Sequence, residues 1–305
     1  MPYTGELIAI VTVLCWTVSV QFFEAAAKRV GATPVNIIRI STALVLFGLF
    51  LFFKNGEIVP LNFPLRSWVF LSLSGIIGFF LGDICLFKAL VELGPRIALL
   101  IFSLSAPMAA LIGWVFLAEI YEIHQWAGML VTLTGVGLVI FERKRPKDTA
   151  NQLLQRAITL KGIVFGIGAM LGQACGYVMS KAGMQTEAGF LDPFAATQIR
   201  ALSAFVCFVL FFTLTRKWRQ VASAIADTRA LVFTATGAVI GPFIGVSLSL
   251  MVLHYLSSGV ASTFLSLTPV CIIPFSIFLH KEHVSIRAFG GALIAVSGIW
   301  LLMVP

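Results

Sequence analysis

Within this chain one carboxylate stands in apolar surroundings, in Phe79-Phe80-Leu81-Gly82-Asp83-Ile84-Cys85. An ionisable group placed this way either holds a substrate amine, a proton or a cation, or neutralises a buried base. Arg39 and Arg200 supply two such bases, each several residues into its own apolar run, with Asn36 and Gln198 close by. A guanidinium can clamp a carboxylate or phosphate with two prongs; the competing readings are a snorkelling side chain or an ion pair between segments. Trp16, Gln173 and Tyr177 add an indole, an amide and a phenol. Such groups suit a ligand with an apolar body and a polar tip, and Trp16 suits a cation; packing is the bland alternative. Ser103, Ser105, Ser266 and Thr268 stand just before Pro107 and Pro269. Proline frees a helix carbonyl that nearby hydroxyls can serve, so Ser105 and Thr268 are either local caps or substrate contacts, and the two prolines are hinge candidates.

Other chemistries find little support. Neither G-x-x-x-x-G-K-[ST] nor H-E-x-x-H occurs, so no ATP motor or zinc protease motif is present. His254 near Ser247 and Ser249 lacks the glycine-framed nucleophile of a serine hydrolase, which leaves an intramembrane enzyme as a remote alternative. Cys15, Cys85, Cys175, Cys207 and Cys271 all fall in apolar runs without a C-x-x-C pair, so they read as packing residues rather than disulfides or zinc ligands. No cofactor and no metal are expected.

The surroundings of these residues follow from composition. Apolar residues make up 59%, charged residues 11%, and mean hydropathy is +1.00; soluble domains carry about 45–50% and about 25%. The solvent of this chain is therefore largely lipid. Its formal net charge of +8 resides mainly in short loops, where topology signals sit, and no basic groove interleaved with aromatics suggests nucleic acid. No basic region precedes the first apolar run, so that run is expected to stay as a helix rather than be cleaved. Continuous apolar runs lie near 5–23, 34–53, 67–90, 95–118, 124–141, 162–183, 194–215, 230–255, 258–280 and 286–304. Each is long enough for a helix across the hydrocarbon core, which predicts an all-α integral membrane protein of about ten transmembrane helices.

The two sides of a basic linker, 143–161, repeat one another. Gly75, Gly78 and Gly82 match Gly237, Gly241 and Gly245; Phe102-Ser103-Leu104-Ser105-Ala106-Pro107 matches Phe264-Leu265-Ser266-Leu267-Thr268-Pro269. Leu117-Ala118-Glu119 matches His280-Lys281-Glu282; Gly128 and Gly135 match Gly291 and Gly298; Arg39 matches Arg200. Residues 1–142 and 162–305 thus form two five-helix repeats, joined by a linker in which Leu153, Leu154 and Ile158 suggest a surface turn. Because five is odd, the second copy enters the membrane from the other side. An inverted repeat of this kind is typical of secondary transporters. Pseudo-symmetry pairs Asp83 with Val246 and Trp16 with Gln173. Glu119 and Glu282 read as carboxylates beside helix N-termini, and the paired glycines as close helix contacts inside one protomer or in a dimer.

On these landmarks the chain resembles the EamA-like family of the drug/metabolite transporter superfamily, over nearly its whole length. The resemblance implies ten helices around a central cavity, alternating access, and in many members export of metabolites or amino acids. The expectation is a multi-pass protein of a bacterial inner membrane, monomeric or homodimeric, that moves a small-molecule substrate with a proton or cation as coupling ion. A passive channel or facilitator is the alternative, weakened by the shortage of polar residues for a wide pore. Loops after odd-numbered runs carry most of the Lys and Arg, which places both termini outside; the family pattern implies both inside.

Overall fold

The computed structural model describes residues 3–93, 95–140, 159–273 and 286–303. Most of the expected linker, with Leu153, Leu154 and Ile158, and Pro274, Lys281 and Glu282 lie outside the described residues.

Among the described residues, helices occupy the expected runs. Spans 1 to 8 are Thr4–Val30, Ala32–Asn55, Leu65–Leu93, Ile97–Leu117, Ile123–Ile140, Leu160–Met184, Pro193–Leu214 and Thr228–Val252; span 9 begins at Ser258 and span 10 is Ile286–Met303. Among the described residues, nine of these are long and apolar enough to cross a membrane, and span 9 is followed to Ile273. Local chemistry sets the boundaries. Gly31 breaks the chain between spans 1 and 2 with φ 86°, a conformation that a Cβ disfavours. Asp192 caps span 7 by accepting from the Phe194 amide, with Pro193 in the first turn, and Asp227 caps span 8 through the Ala230 amide, as N-cap carboxylates do. Outward faces carry apolar side chains, such as Val45, Leu49 and Phe53 of span 2.

Two connections are more ordered than loops. The segment between spans 7 and 8 holds a connector helix, Trp218–Ala226. Between spans 6 and 7 a short hairpin pairs β1 (Gln185–Thr186) with β2 (Gly189–Phe190), Gln185 opposite Phe190.

The chain groups into two compact units that do not follow the repeats: unit 1 is Met1–Phe80 with Met179–Leu256, and unit 2 is Leu81–Val178 with Ser257–Pro305. Each unit combines helices of both halves. In unit 1, spans 2 and 7 bury Ile37, Ile40 and Phe47 with Phe208 and Phe212, and the Phe47 ring packs tilted against Phe243 of span 8 at 5.1 Å. In unit 2, spans 5 and 10 pack along their glycines. A Cβ on Gly128 would come within 2.9 Å of the Gly298 carbonyl, and one on Gly291 within 2.9 Å of the Gly135 carbonyl. Small residues let helix backbones approach this closely, so these glycines work inside the protomer. Gly128 meets Gly298 and Gly135 meets Gly291, so the two equivalent helices run antiparallel, as an inverted repeat requires.

Candidate functional site

Spans 3 and 8 each contain a π-helical segment at equivalent places, Gly75–Gly82 and Val239–Val246. The wider turn of a π-helix is uncommon and gathers at functional sites. Span 8 explains its own through Pro242, which cannot donate a backbone hydrogen bond. The glycine pattern marked both places in the sequence, but the π geometry itself was not foreseen.

In unit 1 the glycine face of span 8 receives span 1. A Cβ on Gly237 would lie 2.8 Å from the Phe23 ring, one on Gly241 2.8 Å from Ser19 Oγ, and one on Gly245 2.7 Å from Trp16 Cδ1. Trp16 therefore rests on bare backbone within the π segment, half-buried. Arg39 sits over the Phe23 ring at 5.5 Å. Its counterpart Arg200 is 3% exposed and lies over Phe79, inside the π segment of span 3, at 4.3 Å. A cation over an aromatic face is held by the ring quadrupole. Close packing fixes Arg200 further, because a Cβ on Gly75 would overlap its carbonyl. Asn36 is buried in span 2. Gln198 is buried as well, and its Nε2 donates to the Ile58 carbonyl at 2.8 Å, an anchor for the loop between spans 2 and 3. Sequence spacing gave no sign of that bond.

Unit 2 holds the remaining candidates. Asp83 follows the π segment of span 3 directly and is half-buried. Beyond it, Cys85 faces Gly168 of span 6 and Lys88 lies over Phe165 at 4.9 Å, so this part of span 3 runs antiparallel to the start of span 6. Further along span 6, Gln173 is half-buried and Tyr177 buried, while Ala174 and Val178 pack on Ala109 of span 4. Span 4 breaks at Leu104, between helices Pro95–Ser103 and Ser105–Leu117; span 9 breaks at Ser266 and Leu267. The breaks fall three and two to three residues ahead of Pro107 and Pro269. Thr268 Oγ1 donates to the Leu265 carbonyl at 2.9 Å, the group that an amide at position 269 would otherwise have served. Ser103 donates to the Leu100 carbonyl at 2.7 Å. Ser105 is buried at the start of the second half of span 4.

Glu119 has a specific role at the far end of span 4. Ala118 adopts φ 51°, turning the chain so that the Glu119 carboxylate accepts from Ser258 N at 3.0 Å and from Ser258 Oγ at 3.0 Å. It thereby caps span 9 rather than the neighbouring span 5. Tyr121 donates to Glu119 and accepts from the Gly259 amide at 3.1 Å. Burial, then the hydrogen bond to Glu119, push the Tyr121 phenol well above its ordinary range. Its pseudo-symmetric counterpart Glu282 lies outside the described residues.

An all-α, multi-pass membrane protein of two repeats, with equivalent breaks in each, is the class that these features define. The chain belongs to the EamA-like transporter family, which matches residues 3–141 and 160–304. At the level of the family it is a drug/metabolite transporter. A crystal structure described only as that of a protein shares the fold, with a TM-score of 0.72 at 16% identity over 99% of this chain and 96% of the other. No curated protein sequence matches the chain.

Proposed function

We propose that the protein is a secondary transporter that exports a small amphipathic metabolite, an amino acid or a related compound, across a bacterial inner membrane by alternating access. The observation that carries this reading is Asp83, a half-buried carboxylate set where a π segment ends midway along span 3. A carboxylate there binds a substrate amine or a coupling proton or cation. The matched breaks of spans 4 and 9 supply places to bend. Inverted repeats support rocking of one bundle against another.

Proteoliposome uptake with amino acids, nucleosides and cationic drugs, at set pH gradients, tests the reading. Saturable flux that speeds up with substrate on the far side supports a carrier. Flux that rises linearly without counterflow sinks it in favour of a channel, and turnover of a lipid or peptide by the purified protein would point to an enzyme.

A further inference from the structure

The cations of unit 1 divide by face. At the end carrying the hairpin, Lys54 pairs with Asp192 at 2.9 Å, Lys181 donates to the Leu256 carbonyl at 2.9 Å, and Arg66 lies over Phe70 at 5.6 Å. Every cation there is engaged within the fold. At the opposite end, Arg216, Lys217, Arg219 and Arg229 are exposed, and none has an ion pair among the described residues. Asp227, the single acid between Arg216 and Arg229, is already taken: Arg29 binds it at 2.9 Å and it caps the Ala230 amide at 3.0 Å. That engagement holds its carboxyl below the usual range.

The same stretch is amphipathic. The connector helix buries Val221 and Ala224 in the core of spans 2 and 7 and leaves Trp218 and Ile225 exposed at 41% and 51%. Trp218 is held in place by its Nε1 bond to Thr213 Oγ1 at 3.2 Å and by the Phe212 ring at 5.7 Å. A short helix with an indole and an aliphatic side chain at the ends of membrane spans, flanked by free cations, has the make-up of an interfacial element for anionic lipid.

We propose that Arg216, Lys217, Arg219 and Arg229, with Trp218 and Ile225 on the connector helix, form a binding surface for anionic phospholipid headgroups in the adjoining leaflet. The cations take the phosphate and the apolar side chains enter the upper acyl region.

The test uses the full-length protein in detergent, with phosphatidylglycerol, phosphatidylcholine or inorganic phosphate added. Bound lipid is counted by native mass spectrometry and stability is followed by thermal unfolding. Phosphatidylglycerol is expected to be retained and to raise Tm, with phosphatidylcholine and phosphate weaker in both. The R216Q/K217Q/R219Q/R229Q variant is expected to bind it more than about tenfold less tightly, while Lys54→Gln with Arg66→Gln leaves binding unchanged. The proposal is overturned if the fourfold variant retains phosphatidylglycerol like wild type, or if phosphatidylcholine does as well. It is equally overturned if inorganic phosphate reproduces the full Tm rise, since the site would then take free anions. Should the fourfold variant not fold, the R216Q/K217Q and R219Q/R229Q pairs and the salt dependence of wild-type binding decide: binding insensitive to ionic strength overturns it.

Discussion

Span 3 carries its π segment over Gly75–Gly82 and span 8 over Val239–Val246, yet Asp83 follows the first and Ser247 the second, one residue beyond Val246, which the sequence repeat pairs with Asp83. Ser247 is fully buried and donates to the Phe243 carbonyl at 2.7 Å, inside its own helix. A hydroxyl can be satisfied that way. An ionised carboxylate only accepts, so its partners are donors or cations rather than helix carbonyls. The packing of the two segments differs too. Gly75 of span 3 meets the backbone of Arg200, whereas Gly237, just before the span 8 segment, meets the ring of Phe23. Duplication has kept the backbone device in both copies, while the charge stands in one.

The largest effect that would sharpen the contrast is on stability. Gly75→Ala forces a Cβ onto backbone that cannot swing aside and is expected to cost about 3 kcal/mol or more, against about 1 kcal/mol for Gly237→Ala, where a ring can shift. Unfolding in detergent measures both; equal losses would show that the two copies are packed alike.

Next comes transport. Asp83→Asn is expected to slow uptake by roughly tenfold to a hundredfold, the scale of one lost charged hydrogen bond, while Val246→Ala retains activity. Wild-type flux and pH dependence in Asp83→Asn would reduce this carboxylate to a structural residue.

At the Glu119 clasp, Glu119→Gln keeps one acceptor oxygen but loses the second and the charge, and is predicted to destabilise by about 1–2 kcal/mol, and Tyr121→Phe by less. A Tm for Glu119→Gln matching wild type would remove the clasp from the account.

The smallest expected effect concerns His254 at the hairpin end. Its ring stacks on Phe190 at 4.5 Å, and burial, with Lys181 nearby, lowers its pKa from the ordinary 6.5 against the pull of Asp192. The unfolded chain therefore takes the proton first. The stability contributed by neutral His254 is present above pH 6.5 and is lost as pH falls through the lower folded value. His254→Gln should flatten that acid limb in pH-dependent unfolding, and an unchanged limb would place the titration elsewhere.

Much of the fold was legible because lipid allows few solutions: apolar runs of bilayer length must be helices. Glycine and proline mark where those helices stop, bend or touch, so the equivalence of Gly128 and Gly135 with Gly291 and Gly298 could be read directly. The ends of side chains were less legible. Glu119 was close to span 5 in sequence, yet it reaches Ser258, and Gln198 spends its amide on Ile58. No periodicity encodes such long-range partners. The connector helix was hidden as well, since nine residues with mixed polarity resemble a loop until Val221 and Ala224 find a core.

The sequence alone thus determined the helical class, the number of runs, the duplication and its inversion, because each depends on hydrophobic length and on counting crossings. Only the tertiary structure decided that the compact units draw on both copies, that spans 3 and 8 widen into π turns, and that Arg39 and Arg200 lie over Phe23 and Phe79. Those outcomes depend on which surfaces meet, and helix-to-helix packing is set by the shape of both partners together rather than by either run alone.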